Sequence, residues 1–418
     1  MEFPLNTALR KNLLVGGALL VSVAYIFFAL RIFAASWFGD QPELASLQRA
    51  ARLDPWNADY HYHLGRYYAL VARDPATAIT SYRAAVRLNP FSARYWFDLA
   101  SAYQVLADVS NQSSALEKAI EADPTTPDVA WEAANFYLVQ GEEDKALREF
   151  RVVMQNDPTL EGPAIQFCWR IEPNVDELLR DVVPARSEAQ IAFLNLLMSK
   201  EETASTAKVW AAMMANPQRF ELRYVFSYFQ YLLNHKDVDE ARLVWQQAAP
   251  RFALTQYLPT SHNLIVNGDF NLDVLNGGFD WQYEKQQSVT LTLDLSDFHS
   301  GHRSLLIAFD GPGVTDAGIR QFVAVQPGTT YEFSAYYKNG EIEGAGAPHF
   351  TIQDAYNRDV LYDSDELKQA GFWKSANGEF VAGPDTKLVI LHVRRIPEGS
   401  PIRGKLWVDD FHLAPKRQ

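Results

Sequence analysis

Residues 54–158 repeat one dipeptide at nearly equal intervals, as Asp54-Pro55, Asn89-Pro90, Asp123-Pro124 and Asp157-Pro158. Successive prolines are 35, 34 and 34 residues apart. A fixed period in this range indicates a stacked array of structural repeats. Proline cannot continue a helix, because it lacks the N–H group and its ring clashes with the preceding turn. Each dipeptide is therefore expected to end the last helix of one repeat.

Between these prolines, each unit contains an aromatic-rich segment followed by a segment with small residues at helical spacing. The aromatic segments span 61–68, 96–103 and 131–138. The small residues include Ala78, Ala85, Ala115 and Ala119. A helix pair of this kind cannot bury its apolar face alone, so neighbouring pairs must stack. The sequence predicts three such pairs, which span 57–90, 91–124 and 125–158.

This pattern resembles the tetratricopeptide repeat in its Leu-Gly or Leu-Ala pair, its alanines and its closing proline. The resemblance is clear over 57–158 and divergent over 159–255, where further prolines interrupt the period. We therefore predict an all-α helical-repeat solenoid over 42–255. The resemblance implies a concave face that docks a protein partner, although core packing is the alternative for its aromatic residues. The candidate partner contacts are Tyr60, His61, Arg94, Tyr95, Asn135 and Gln166.

The N-terminal region contains an almost unbroken apolar run over residues 12–30, which is long enough to cross a bilayer as one helix. Arg10 and Lys11 precede the run, so the positive-inside rule places the short N-terminal tail in the cytoplasm. We predict that 1–38 form this tail and a single transmembrane helix. A cleaved signal peptide is the alternative, because Ala34-Ala35-Ser36 offers small residues to a peptidase.

After Pro259 the pattern changes from helical to strand-like. Segments rich in β-branched and aromatic residues span 288–293, 304–309, 319–325, 330–337, 387–393 and 405–411. They are separated by turn-forming clusters such as Asn276-Gly277-Gly278, Asn339-Gly340 and Asn377-Gly378. Many short strands with such turns indicate an antiparallel sandwich. We predict an all-β domain over 262–415, which makes the chain a multidomain protein.

Several sequence segments of this region, including 263–270 and 406–413, resemble the corresponding segments of the jelly-roll carbohydrate-binding modules and the galactose-binding-like domains. The resemblance implies that aromatic side chains of one concave sheet stack on sugar rings while polar side chains bond the hydroxyls. The candidate ligand contacts are Trp281, Tyr283, Tyr336, Gln353, Tyr356 and Trp373. Trp407 is expected in the core. The resemblance also implies a structural calcium site, with Asp269 and Asp410 as possible ligands, although Asn271 stands where many relatives carry glutamate.

Composition and motifs exclude several classes of function. The net charge is −13 and the sequence pI is about 5.2, so the sequence lacks the clustered basic residues that are typical of a nucleic-acid-binding protein. Cys168 is the only cysteine, which rules out an intrachain disulfide. Neither a phosphate-binding loop nor a nucleophile elbow occurs in the sequence. We therefore predict that the chain is not an enzyme and requires no cofactor.

Three functional hypotheses follow, in order of preference. The first is a scaffold in the inner membrane whose bulk faces the periplasm, with repeats that dock a protein and a sandwich that binds a glycan. By analogy with this domain combination, its setting would be cell-envelope polysaccharide assembly or export. The second is a purely structural assembly protein whose sandwich contacts protein. The third is an enzyme that acts on polysaccharide.

Overall fold

The computed structural model describes residues 8–368 and 370–417. The chain divides into two compact units, one of which ends at Leu196 while the other begins at Leu197. Helices build the first unit, whereas the second contains the last helices together with a β-sandwich. The predicted helical repeats and the predicted β-sandwich are therefore both present. The predicted domain limits, 1–38, 42–255 and 262–415, remain predictions.

The first helix, α1 (Ala8–Gly39), is long and apolar enough to cross a membrane, a property that it shares with signal sequences. Its last turns pack against α2 (Leu44–Leu53), with Ala35 and Ala50 fully buried between them. The Arg31 guanidinium donates to the carbonyl of Leu53 at the end of α2. The end of α1 therefore supplies a packing partner for α2.

Three helix pairs follow, and they coincide with the three clear repeats. They are α3 (Ala58–Arg66) with α4 (Pro75–Leu88), α5 (Ala93–Val105) with α6 (Val109–Ala122), and α7 (Pro127–Gln140) with α8 (Glu143–Asn156). A π-helical turn, Tyr67–Val71, prolongs α3. Ala78, Ala85, Ala115 and Ala119 are buried between the helices, where small side chains allow close approach.

The Asp/Asn-Pro dipeptides end helices by a shared local mechanism. Asp54, Asn89, Asp123 and Asp157 each follow the last helical residue, with ψ between 81° and 102°. This is the extended backbone that a following proline enforces. The side-chain oxygens of the last three accept hydrogen bonds from N–H groups two or three residues ahead. The repeat period is therefore set by steric and capping effects that act locally.

Further helices, less regularly spaced than the clear repeats, follow Pro158. They comprise α9 (Glu161–Ile171), α10 (Val175–Glu177), α11 (Ser187–Ser199), α12 (Thr203–Ala215), α13 (Leu222–Asn234) and α14 (Val238–Arg251). Trp210 and Trp245 are 1% exposed, as expected for core residues of divergent repeats. The Trp210 indole N–H donates to Gln247 Oε1 at 2.8 Å, which satisfies its polar atom within the packing.

Two five-stranded antiparallel sheets form the sandwich. Sheet A has the strand order β1 (Gln282–Tyr283), β4 (Asp316–Ala324), β9 (Leu388–Ile396), β6 (Ala347–Asp354) and β7 (Val360–Asp363). Sheet B has the order β2 (Val289–Asp294), β3 (Ser304–Gly311), β10 (Ile402–Pro415), β5 (Thr330–Gly344) and β8 (Lys374–Val381). Alternate residues of these strands point inward and form one apolar core, as the period of two along a strand requires.

Two expected turns lie inside strands. Asn339-Gly340 lies within β5, because the Asn339 amide is buried and bonds the carbonyl of Leu367 and the N–H of Ala370. Asn377-Gly378 lies within β8, where a side chain on Gly378 would collide with the ring of Tyr362. In both cases a contact distant in sequence overrides the local turn preference.

The last helices and the sandwich share an apolar contact within the second unit. Phe279 packs edge-to-face against Phe229 of α13, with ring centroids 4.8 Å apart. A Cβ on Gly278 would lie 2.6 Å from the ring of Trp245 in α14, and its φ of +62° also favours glycine. The Trp245 indole N–H donates to the carbonyl of Tyr257 at 3.0 Å. Residues 277–279 therefore join the helices to the first strand.

Candidate functional site

A cleft of about 730 Å³ lies on the outer face of sheet A. Its floor comes from β4, β9 and β6, whose inward-facing residues belong to the core while the residues between them face the cleft. Its walls come from the segment around β1 and from the loop that follows β6. We call it the sheet A cleft. Its volume is in the range of pockets that hold small ligands.

Strand register places a row of polar side chains across the whole of sheet A. The consecutive cross-strand neighbours in this row are Gln282, Arg320, His392, Thr351 and Asp363. Residues directly opposite in antiparallel strands project from the same face. Because neighbouring strands lie about 4.8 Å apart, the row spans roughly 19 Å. Gln282, Arg320 and His392 of this row line the cleft, whereas Thr351 is buried and its hydroxyl donates to Asp363.

His392 is the most constrained polar residue of the cleft. Its Nδ1 lies 2.6 Å from Asp316 Oδ2, and the other oxygen of Asp316 accepts the N–H of Gly318. The imidazole is only 7% exposed, and its Nε2 finds no hydrogen-bond partner within residues 8–368 and 370–417. A buried polar atom without a partner is unfavourable unless a ligand or water satisfies it. The Asp316–His392 pair therefore provides an oriented nitrogen that can bond a ligand.

Three arginines also contribute to the cleft. The guanidinium of Arg320 lies 5.5 Å from the ring centroid of Phe322 on the same strand, and that of Arg394 bonds Glu398. Arg358 is exposed on the loop after β6. Together they give the cleft hydrogen-bond donors that can bind hydroxyl or anionic groups.

Asp354 fixes the loop that carries Arg358. Burial alone would raise the pKa of Asp354, but hydrogen bonds from the Thr386 hydroxyl and from the N–H groups of Tyr356 and Asn357 lower it. The loop is therefore tied to the end of β6 through an ionised carboxylate.

The structure separates the predicted ligand residues into three groups. Tyr283 and Gln353 line the sheet A cleft, and Tyr283 is 54% exposed. Tyr336 and Trp373 lie on the side of sheet B. The side chains of Trp281 and Tyr356 instead pack against other parts of the protein. The interpretation that all six residues share one concave face is therefore wrong.

Trp281 is a core residue. It is 1% exposed, its ring stacks on Phe270 with centroids 5.1 Å apart, and its N–H donates to the carbonyl of Asn267 at 2.9 Å. Tyr283, two residues further on, pairs with Ile319 on the edge strand of sheet A and is 54% exposed. Trp281 therefore has no ring face available for a sugar.

Tyr356 is also used in packing within the second unit. Its hydroxyl donates to the carbonyl of Leu233 at the end of α13 at 3.0 Å, and Lys236 Nζ lies 5.5 Å from its ring centroid. Burial raises the pKa of Tyr356 to about 12. These contacts connect the loop after β6 to α13.

Tyr336 and Trp373 meet around His299. The rings of His299 and Tyr336 stack with centroids 3.6 Å apart, and Trp373 lies edge-on at 5.8 Å. Trp407 was expected in the core, but it is half-buried and its N–H bonds Asp294 at 2.7 Å. These aromatic side chains therefore pair mainly with each other and with neighbouring polar groups.

The residues predicted to bind calcium do not converge. The Asp269 carboxylate accepts hydrogen bonds from the side chain and N–H of Asn271, whereas Asp410 bonds His299 and Ser300. Within residues 8–368 and 370–417, no group of three or more His, Cys, Asp or Glu residues is placed to hold a metal ion. The donor set expected for a hard cation, several oxygens around one point, is therefore not formed by these two residues.

A second concavity lies on the helical repeats of the first unit, with a volume of about 520 Å³. We call it the repeat groove. It is lined by Arg66, Leu70, Arg73, Tyr82, Arg94, Asp98 and Val105, among others. Leu70 and Val105 are 66% and 73% exposed, so apolar surface lies beside three arginines. Leu70 belongs to the π-helical turn after α3, an irregularity often found at functional positions.

Of the predicted partner contacts, Arg94 lines the repeat groove, and Gln166 is exposed elsewhere on the repeats. The prediction is wrong for two tyrosines, which are core residues. Tyr60 is 9% exposed and packs with Ala35 and Ala50, while Tyr95 is 6% exposed and stacks on the ring of Tyr62.

His61 and Asn135 are the remaining predicted contacts, and both are half-buried. His61 Nε2 bonds the carbonyl of Pro55, and the Asn135 amide donates to the carbonyl of Trp131. Their polar groups are therefore engaged within their own repeats.

Sequence reasoning missed the polar residues that build the sheet A cleft, namely Arg320, His392, Arg394, Asp316 and Arg358. A signal for two of them is present, because His392 and Arg394 alternate with the core residues Leu391 and Val393. Such alternation places both on one outward face. Their approach to Arg320 depends on the pairing of β4 with β9, which lies far apart in the sequence.

Comparisons with known proteins agree with this architecture. The family model described as a carbohydrate binding domain matches residues 262–398. Two tetratricopeptide repeat models match residues 67–104 and 93–126. All three are models of binding modules. A search among curated proteins found no match.

Several solved structures are similar to parts of the chain. A structure described as CBM4 is 18% identical, covers 36% of this chain and 99% of its own, and has a TM-score of 0.28. The CBM22-1 xylan-binding domain of Xyn10C from Paenibacillus barcinonensis is 16% identical, with coverage of 36% and 93% and a TM-score of 0.26. MamA is 21% identical, with coverage of 42% and 93% and a TM-score of 0.30. The chain thus combines tetratricopeptide repeats with a C-terminal domain of the carbohydrate-binding-module type.

Proposed function

We propose that the sandwich binds a glycan chain in the sheet A cleft. The observation that carries this proposal is the open cleft, which is lined by polar side chains of four strands: Gln282 of β1, Arg320 of β4, His392 of β9 and Gln353 of β6. Tyr283 offers an exposed ring to the apolar face of a sugar, while Gln353 and His392 offer polar atoms to its hydroxyls. A ligand site with few aromatic contacts and several oriented polar groups suits an extended, hydrated polymer.

A glycan-binding assay with the full chain in detergent tests this proposal. We expect retarded migration in gels that contain a bound polysaccharide, across a panel of plant and bacterial polymers. Tyr283→Ala and Gln353→Ala should each weaken binding roughly 3- to 10-fold, the effect of losing one ordinary polar or ring contact. Tyr336→Ala, on the other sheet, is the matched control and should bind like the wild type. Unretarded migration with every polymer would refute the proposal.

We infer further that the repeats dock a protein through the repeat groove. Exposed Leu70 and Val105 beside Arg66, Arg73 and Arg94 suit a partner segment that combines apolar and acidic side chains. A photoreactive amino acid at Leu70 should give a cross-linked partner, whereas one at exposed Lys118 on α6 should not. Equal cross-linking from both positions would argue against a specific groove.

We also propose that α1 anchors the protein in the inner membrane, with the repeats and sandwich facing the periplasm. The length and apolar character of α1 support this placement, as do Arg10 and Lys11 before the apolar run. A membrane-bound scaffold that docks a protein and binds a glycan suits cell-envelope polysaccharide assembly or export. Protease added to intact spheroplasts should degrade the repeats. Protection of the repeats in intact spheroplasts, with degradation after lysis, would reverse the proposed orientation.

A further inference from the structure

The sheet A cleft concentrates arginine side chains in a chain that is acidic as a whole. The net charge of the protein is −13, yet the cleft contains three arginines against two carboxylates, Asp316 and Glu284. Asp316 pairs with His392, and Arg394 pairs with Glu398. Within the described residues, Arg320, Arg358 and Glu284 make no ion pair. Two guanidinium groups of the cleft, those of Arg320 and Arg358, are therefore available to an anionic ligand.

The cleft is also poor in the side chains that bind uncharged sugar rings by stacking. Among the described residues that line it, Tyr283 is the one aromatic residue. An uncharged polymer would bind here mainly through hydroxyl hydrogen bonds, which gain little over water. Hydrogen bonds between arginine and an anionic group are stronger than those between neutral groups.

We propose that the sheet A cleft selects an acidic glycan, one whose sugars carry carboxylates; this rests on the glycan-binding function proposed above. Arg320 and Arg358 pair with uronate carboxylates, because the planar guanidinium matches a carboxylate with two parallel hydrogen bonds. His392 Nε2 bonds a hydroxyl of the same chain, with the ring oriented by Asp316. The two guanidinium groups without a carboxylate partner favour the acid form of a polymer over its neutral form, because charge-assisted hydrogen bonds are stronger than neutral ones.

Polygalacturonate and its fully methyl-esterified form provide a matched pair of probes, since esterification removes the charge and keeps the sugar backbone. We expect the full chain in detergent to bind the acid polymer at least about 10-fold more tightly than the ester, a difference typical of one charge-assisted contact. Polymannuronate tests whether the preference extends to a second uronate. Binding of the acid polymers should weaken as salt rises from about 50 to about 500 mM, because exposed charge pairs are screened.

Substitutions locate the effect in the cleft. Arg320→Gln and Arg358→Gln should each reduce binding of the preferred acid polymer by roughly 10- to 100-fold. Lys405→Gln removes the same charge from an exposed position on β10 of sheet B and should leave binding unchanged. Circular dichroism of each variant confirms that the fold is intact.

The outcomes separate this proposal from the one on which it rests. Equal binding of acid and ester forms, or of neutral xylan and glucan, would overturn the acidic selectivity and leave glycan binding intact. An equal loss with Lys405→Gln would show non-specific charge attraction and also overturn it. Failure to bind any polymer, charged or neutral, would overturn the glycan-binding function itself.

Discussion

Asp280 gives the sandwich a pH-dependent stability that one substitution should remove. The residue is fully buried beside the first strand, where its Oδ2 accepts the N–H of Leu275 at 2.7 Å. Its Oδ1 has no hydrogen-bond partner in the described part of the chain. Burial raises the pKa of Asp280 to about 7, although hydrogen bonds from the N–H groups of Leu275 and Trp281 and from Asn267 oppose this shift.

The sign of the effect follows from proton binding in the two states. Between the usual pKa of 3.8 and about 7, folded Asp280 holds a proton that the unfolded chain has lost. The free energy of unfolding therefore falls as pH rises through this interval, and it stays lower above it. Because the pKa is raised by about three units, the free energy of unfolding is about 4 kcal/mol lower well above pH 7 than it is well below pH 3.8.

Asp280→Asn should remove this dependence, because the amide is neutral at every pH and keeps an oxygen for the N–H of Leu275. We expect the stability of the variant relative to the wild type to increase by about 2 kcal/mol between about pH 5.5 and about pH 8.5. Calorimetry of the full chain in detergent measures the difference. Asp385→Asn, which removes the same charge from an exposed loop, is the control.

Two results would refute this reasoning. One is a stability difference between wild type and Asp280→Asn that stays constant across this pH range. The other is an equal pH effect of Asp385→Asn, which would trace the dependence to the net charge of the protein.

Three further predictions concern packing and membrane attachment. Trp281→Ala should destabilise the sandwich by roughly 3–5 kcal/mol, measured as a shift of the urea midpoint, because it empties a core position; retention of wild-type stability would contradict its core placement. Gly278→Val should cost roughly 2–4 kcal/mol through its clash with Trp245 and its positive φ, whereas Gly328→Val, with positive φ but open space, should cost less in the same urea titration. The full chain should stay in the membrane pellet after alkaline carbonate washing and enter solution with detergent; an N-terminus beginning near Ser36 would instead indicate a cleaved signal peptide.

Much of the fold could be predicted because its determinants are local. The Asp/Asn-Pro dipeptides end helices through steric exclusion and capping within a few residues, so their period predicts the repeats directly. The apolar alternation likewise identifies strands such as β3 and β4. The prediction failed at Asn339-Gly340, where the buried amide of Asn339 bonds a distant loop and the strand continues.

The candidate site could be predicted only in part, because strand pairing assembles it. Alternation puts Trp281 and Tyr283, two residues apart, on the same side of a strand, yet Trp281 is buried and Tyr283 on the edge strand is exposed. Arg320 and His392 become neighbours only when β4 pairs with β9. The aromatic residues were predicted as ligand contacts because of their type. Trp281 is instead buried in the core, and the Tyr356 hydroxyl donates to a carbonyl of α13.

Hydroxyl-radical footprinting of the full chain, with and without a bound glycan, measures directly which face of the sandwich holds the ligand. Binding in the sheet A cleft should lower the oxidation of Tyr283, which is 54% exposed in the free protein. Oxidation of Tyr336 and Trp373, on the side of sheet B, should not change. Protection of Tyr336 and Trp373 with unchanged Tyr283 would contradict the assignment of glycan binding to sheet A.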